Sequence, residues 1–294
     1  MLKSKDIRIR DPFILREDDT KTYFLYGTTD ENVWEGKGAG FDVYQSRDLI
    51  DWEGPFPAFR PAETFWADHH FWAPEVHFYK EKYYMFATFK ATGKCRGTQI
   101  LVAQDPLGPF KPLTTEPITP RDWECLDGTL FTDDKGDPWM VFCHEWLQVQ
   151  DGEICAIPLA RDLKSATGDP VVLFSASEAN WTIPMDEVNY VTDGPYLYRN
   201  KKGELLMLWS SKGEKGYAIG VSRAVSGKIL GPWMHDSETL FDKDGGHGMV
   251  FETFEGRLML VIHEPNDTPN ERPAFFSLEE ISGDLVIKVE NSGN

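Results

Sequence analysis

One arrangement recurs five times along this chain, and it restricts the fold more than any other feature. A polar or acidic residue is followed by a small residue or proline and then by a short apolar run. A glycine or charged turn leads into a second, aromatic-rich run. The copies open at Asp11 (DPFIL, then KTYFLYGT), Glu75 (EVHFY, then EKYYMFAT), Asp127 (DGTLF, then GDPWMVFCH), Asp193 (DGPYLY, then GELLMLWSS) and His247 (HGMVF, then GRLMLVIHE). Most copies carry a third apolar stretch, at 41–49, 98–106, 153–163 and 217–224, and the last ends in a run at 274–287. The runs are short, rich in Val, Ile, Tyr, Phe and Trp, and bounded by Gly, Pro and Asp, which is strand-and-turn punctuation without helical periodicity. Five units of four strands predict an all-β fold, a five-bladed β-propeller of four-stranded antiparallel sheets spanning residues 1–294 as one unit. A β-sandwich suits the composition but not the repeated order of elements.

Composition narrows the partners. The formal net charge of −18 argues against nucleic acid, whose binding rests on cations neutralising phosphates, and against anionic membrane surfaces. A neutral sugar would not be repelled. Hydrophobic residues at 41% and charged residues at 27% are the values of a globular chain. No stretch approaches the roughly 20 apolar residues of a membrane helix. The start has no apolar segment of the signal-peptide kind, so the expected location is the cytoplasm, or outside it if a leader has been removed. Cys95, Cys125, Cys143 and Cys155 form no zinc-type pairs and read as structural thiols, with one disulfide left open. Oligomeric state is not legible.

In a propeller the first strand of each blade lines the central channel. The residues opening the five copies, Asp11, Glu75, Asp127, Asp193 and His247, are therefore expected around one axial pocket. Taken singly, an Asp before Gly or Pro is an ordinary turn residue. As a set, clustered carboxylates are what hydrolysis of a glycosidic bond requires: one protonated to donate to the leaving oxygen, another ionised to activate water.

At these residues the chain resembles glycoside hydrolase family 43, the inverting five-bladed propellers that cleave arabinofuranosides and xylosides. The resemblance runs from Arg10 to about Pro273. Arg10-Asp11-Pro12-Phe13-Ile14, Trp72-Ala73-Pro74-Glu75-Val76, Asp127-Gly128-Thr129-Leu130-Phe131 and Gly246-His247-Gly248-Met249 are similar to the family's first, second, third and fifth blocks. The resemblance implies Asp11 as general base and Asp127 as the residue that orients the acid and tunes its pKa. It implies no cofactor for the chemistry, and a His247 near the axis that in some members helps hold a metal ion, often calcium. In the fourth block the family's Glu-Gly-Pro, whose Glu is the acid, is here Asp193-Gly194-Pro195. Asp193 can serve with the sugar shifted toward it, Glu187 or Asp186 can reach in from the preceding loop, or the site is weakened. Gly194-Pro195, which fixes the same turn beside it, favours Asp193.

Around these, Trp72 is the first candidate for a sugar-stacking wall, with Trp66, Phe71 and Trp146 behind it. Glu75 and His144 are further candidate substrate contacts, and Arg272 resembles a late family arginine that bonds a substrate hydroxyl. Asp68-His69-His70 is expected at the pocket rim. Trp139, Trp209 and Trp233 are assigned to the core. The substrate expected is an oligosaccharide or polysaccharide. Two rival functions stand: a retaining, fructosidase-like hydrolase with Asp11 as nucleophile and Glu124 as acid, and a non-catalytic sugar-binding propeller. The loops 29–40 and 177–190 are the longest irregular segments and the expected determinants of specificity.

Overall fold

Twenty strands form five separate four-stranded antiparallel sheets in the computed structural model, which describes residues 1–31 and 33–288. In each sheet the strands pair in sequence order, so the chain leaves the centre, meanders outward and returns to open the next blade. The innermost strands are Arg10–Glu17, His69–Tyr79, Cys125–Thr132, Asp193–Arg199 and Gly246–Glu252. Inner strands of consecutive blades touch one another, and the first touches the fifth, which closes the wheel. The expected five-bladed β-propeller is the fold found.

The second strands are buried along nearly their whole length, as in Thr22–Thr28 and Leu205–Gly213. Each blade is covered on both faces by its neighbours, so these strands read as continuous apolar runs instead of alternating ones. Between blades the core is aromatic. Phe71 packs on Phe89 at 4.9 Å and on Phe41 and Phe59 at about 6 Å, and Trp209 packs on Trp181 and Phe174. All four cysteines are free thiols, three of them buried.

Every inner strand carries a β-bulge at the same place. Pairing with the second strand skips from Arg10 to Phe13, Trp72 to Glu75, Leu126 to Thr129, Asp193 to Tyr196 and Gly246 to Met249. The residue after the first of each pair is left-handed: Asp11 (φ 52°), Ala73 (45°), Asp127 (54°), Gly194 (52°) and His247 (44°). A bulge bends the strand and re-aims a side chain, here toward the axis. Four of the five residues have a Cβ, so the conformation is strained, and such strain persists only where surroundings over-determine it.

The over-determination is visible. The N–H of each bulge residue donates to a side chain on the preceding blade: Ala73 to Thr28 Oγ1 (2.8 Å), Asp127 to Thr88 Oγ1 (2.9 Å), His247 to Ser210 Oγ (2.8 Å) and Asp11 to His263 Nδ1 (3.1 Å). In the third blade the corresponding residue is Cys143, and the Gly194 N–H donates instead to Asp127 Oδ2 at 3.1 Å. A ring of hydrogen bonds thus ties the five bulges together around the axis.

The bulge also corrects the alignment read from the sequence. Asp11, Asp127 and His247 are equivalent, but their counterparts are Ala73 and Gly194, not Glu75 and Asp193. Asp193 lies one residue earlier, where the other blades place Arg10, Trp72, Leu126 and Gly246.

Candidate active site

The bulges open onto a cavity of about 880 Å³ at one end of the axis. Asp11, Asp127, Asp193 and His247 line its floor, so four of the five residues expected around one axial pocket converge there, and Glu75 does not. His247 Nδ1 lies 3.2 Å from Asp11 Oδ1 and 3.6 Å from Asp127 Oδ2. Asp11 Oδ2 accepts from the Thr28 hydroxyl at 2.6 Å. Asp193 accepts from the Tyr217 phenol at 2.9 Å.

The charges follow from these neighbours. Burial works against an ionised Asp11, but His247 and Arg10 outweigh it and hold the carboxyl well below the usual carboxylate range. Burial likewise opposes a charged His247, yet Asp11, Asp127 and Asp193 push the imidazole up to about 10. Asp127 is pushed up to about 8 by burial and by the charges of Asp193 and Asp11, with His247 opposing. Asp193 is pushed up to about 6 by burial and by Asp11 and Glu145, against His247 and Tyr217. Between those values Asp127 and Asp193 together carry one proton, which belongs to the pair. His263 is held neutral by burial, at about 3; its Nδ1 accepts the Asp11 N–H and its Nε2 bonds Asn266 Oδ1 at 3.2 Å. At near-neutral pH the floor therefore holds an anionic Asp11, a cationic His247 and a shared proton.

His247 bears on the expected metal. Its Nδ1 faces two carboxylates directly and its ring carries the compensating charge itself. Among the described residues no group of three or more His, Cys, Asp or Glu is arranged to hold a metal ion.

The walls come from every blade. Trp72 lines the cavity, with its Nε1–H bonded to the Val33 carbonyl at 2.6 Å; the His70 ring stacks on it at 4.3 Å, and the Arg96 guanidinium lies 4.4 Å from its ring centre. Arg96 is ion-paired with Glu145 and reaches His70 at 3.1 Å. Arg10 is fixed by Glu271 (2.8 Å) and Asn266 (2.9 Å) beneath the Trp34 ring. Trp146, Leu147 and Met185 form the wall on the side of blades three and four. The loops 29–40 and 177–190 thus do reach the cavity, through Trp34 and Met185.

Several expected contacts lie elsewhere. Glu75 is buried in the channel below the floor, 3.2 Å from His77, because its register places it with Phe13 and Tyr196 rather than with Asp11. Phe71 is wholly buried in the aromatic cluster between blades one and two. Trp66 packs on that cluster and donates to Gln99 Oε1 at 2.6 Å. His144 is stacked on Trp123 and held by Glu153 and Gln148, each at 2.9 Å. Arg272 donates to the carbonyls of Lys5, Pro269 and Glu271 and joins the last blade to the N-terminal segment. None of these five lines the cavity. Nor do the alternative acids: Asp186 is exposed and accepts from Val188 and Asn189 within its own turn, Glu187 is exposed, and Glu124 is clasped by Lys90 at 2.7 Å. Of the rim cluster, His70 reaches the cavity while His69 is paired with Asp68 at 2.6 Å.

Arg10, Trp34, Arg96 and Tyr217 are cavity residues that the sequence reading does not mark, while Glu145 lies within the candidate run His144-Glu145-Trp146. Arg10 adjoins Asp11, but the others stand on different blades and share no local pattern.

With this geometry in hand, the family model described as glycosyl hydrolases family 43 matches residues 6–277. The extracellular exo-alpha-(1->5)-L-arabinofuranosidase ArbA of Cellvibrio japonicus (strain Ueda107) is 25% identical, over 88% of this chain and 80% of that protein. Among solved structures, an endo-arabinase from Bacteroides thetaiotaomicron VPI-5482 is 44% identical with a TM-score of 0.89, covering 96% of this chain and 98% of that one. A thermostable family-43 glycoside hydrolase is 26% identical with a TM-score of 0.84, covering 97% and 94%.

Proposed function

The chain belongs to family 43 of the glycosyl hydrolases, a glycosidase acting on carbohydrate, and on that premise we propose that it cleaves α-L-arabinofuranosyl linkages of arabinan-type chains with inversion. The observation that carries this reading is the convergence of Asp11, Asp127 and Asp193 on one cavity floor. The two relatives named for arabinan linkages support the sugar, and the aromatic walls suit a chain of rings. A polymeric substrate and the extracellular character of ArbA support action outside the cytoplasm.

In this mechanism Asp11, ionised and oriented by Thr28 and His247, takes a proton from water. The water oxygen bonds to the anomeric carbon from the face opposite the leaving group, and the bond to the leaving oxygen breaks. That oxygen takes its proton from Asp193. Asp127 neighbours Asp193 through the Gly194 N–H and shares the proton, so its charge keeps the acid protonated until the leaving oxygen needs it. The burial of Asp193 disfavours its ionised form, which suits a donor.

Linear arabino-oligosaccharides and xylo-oligosaccharides, assayed with the parent and with Asp11→Ala, Asp127→Ala and Asp193→Ala, test the proposal. It requires turnover of the arabino series and losses of about 10²–10⁴-fold in each variant, with melting temperatures showing folded protein. Turnover of xylo-oligosaccharides alone would refute the sugar, and near-parental rates in folded variants would refute the site. The fructosidase-like reading is disfavoured by Glu124, which is held by Lys90 away from the cavity.

A further inference from the structure

Resting on the acid role given to Asp193, we propose that Tyr217 is a positioning residue that lets an aspartate work where the family block has a glutamate. Its phenol fixes Asp193 Oδ2, so that the transferable proton sits on Oδ1 and faces the leaving oxygen.

A carboxyl has two interchangeable oxygens and a broad terminal torsion. A shorter side chain makes that freedom costly, because a small error in placement can no longer be absorbed by an extra methylene. Tyr217 removes the freedom. Its O–H donates to Asp193 Oδ2 at 2.9 Å, which leaves Oδ1 as the oxygen that can be protonated.

The phenol can do this only if its own ring cannot move, and the ring is held on several sides. It is stacked on His263 with centroids 5.6 Å apart and planes 20° from parallel, and His263 is itself fixed by Asp11 and Asn266. The Tyr217 N–H donates to Asp244 Oδ1 at 3.2 Å. On the remaining flank lies Gly246, where a Cβ would come within 2.4 Å of Tyr217 Cε1, so only glycine leaves room for the ring. Gly246 occupies the bulge-preceding position in blade five that Asp193 occupies in blade four. The ring thus fills the space that a side chain at the next blade's equivalent position would take.

Tyr217 keeps its proton through the cycle. Burial and the neighbouring carboxylates push its pKa well above the ordinary 10. In the bond-breaking step the proton on Asp193 Oδ1 passes to the leaving oxygen, and the Tyr217 hydrogen bond then meets a full carboxylate on Asp193. No proton is drawn from the phenol.

The test is Tyr217→Phe, which keeps the ring and deletes the hydroxyl, compared with the parent, Asp193→Asn and the double variant. Two substrates are used: an unactivated α-1,5-linked arabino-oligosaccharide, and 2,4-dinitrophenyl α-L-arabinofuranoside, whose leaving group departs without a proton. Tyr217→Phe is expected to lower kcat on the oligosaccharide by about 10–100-fold, the scale of a displaced catalytic group, with KM changed by less than about 3-fold. On the dinitrophenyl substrate the loss should stay below about 3-fold, and adding Tyr217→Phe to Asp193→Asn should cost nothing further. Equal losses on both substrates, a loss confined to KM, or an additive loss in the double variant would overturn the proposal. Parental kcat of Asp193→Asn on the oligosaccharide would instead show that Asp193 is not the acid, a separate failure that removes the premise.

Discussion

His247 Nδ1 stands 3.2 Å from Asp11 Oδ1, joining the fifth blade to the first where the wheel closes. Both groups are buried, and each makes the other's charge tolerable. Removing one partner of a buried pair leaves an uncompensated charge, at a cost of about 3–5 kcal/mol. His247→Gln is therefore expected to lower the melting temperature. It should also release Asp11 from its depressed pKa, so that an acidic limb appears in kcat/KM within the usual carboxylate range. A variant with parental stability and an unchanged acidic side of the profile would contradict this.

The same histidine gives stability a pH dependence of definite sign. Its folded pKa of about 10 lies above the ordinary value of 6.5, so the folded state binds the proton more tightly than the unfolded chain. The stabilisation is fully present below about 6.5 and is lost as pH rises through about 10. The difference in unfolding free energy between parent and His247→Gln should shrink steadily across that window in denaturant titrations. A difference that grows with pH would be inconsistent with a cationic His247.

Activity should follow the proton shared by Asp127 and Asp193. Both carboxyls are pushed up, to about 8 and about 6, and the acid must be protonated to work. Asp11, held well below the usual carboxylate range by His247 and Arg10, adds no acidic limb of its own in that range. The kcat/KM profile is thus expected to be flat on its acidic side from about 4 to 6 and to fall as pH rises through the range 6 to 8. A profile that rises across that range would place the essential proton elsewhere.

Thr28 links fold to chemistry. Its hydroxyl donates to Asp11 Oδ2 and accepts the N–H of Ala73 on the next blade. Thr28→Val keeps the shape but leaves a buried N–H unpaired, so it should destabilise by about 1–3 kcal/mol and lower kcat more than it raises KM. Thr28→Ser should recover most of both. Loss of activity that serine does not restore would separate Thr28 from the base.

The walls should govern KM. Trp34 is 51% exposed, and Leu147 and Met185 are similarly uncovered at 62% and 49%, on blades that face blade one across the axis. Trp34→Ala is expected to raise KM for oligosaccharides about 5–50-fold, consistent with the loss of about 1–2 kcal/mol of ring contact, at unchanged melting temperature. An unaltered KM would remove Trp34 from the binding surface.

The wheel itself was legible because a propeller repeats its order of turns and runs, and the order survives where individual residues differ. The bulge register was harder to read. Aligning the copies on their acids set Glu75 and Asp193 level with Asp11, whereas the residues that follow the bulge, Pro12, Pro74, Gly128, Pro195 and Gly248, give the true register. They mark it because a bulge leaves a backbone position that does not need to donate to the ladder, and proline or glycine suits it. Phe71 and Trp66 misled for a different reason: a blade is covered on both faces, so an aromatic beside a site residue is more often core than wall. Tyr217 opens the third apolar stretch of its copy and Glu145 lies between His144 and Trp146, but nothing local marks either as a partner of the site: Tyr217 meets Asp193 through strand pairing across blade four, and Glu145 reaches the cavity from another blade.

The most direct measurement is the anomeric configuration of the first-formed product, followed by proton NMR during hydrolysis of an α-1,5-linked arabino-oligosaccharide. Water delivered by Asp11 opposite the leaving group predicts that β-arabinofuranose appears first and then mutarotates. Initial appearance of the α-anomer would contradict the single-displacement mechanism and the roles given to Asp11 and Asp193.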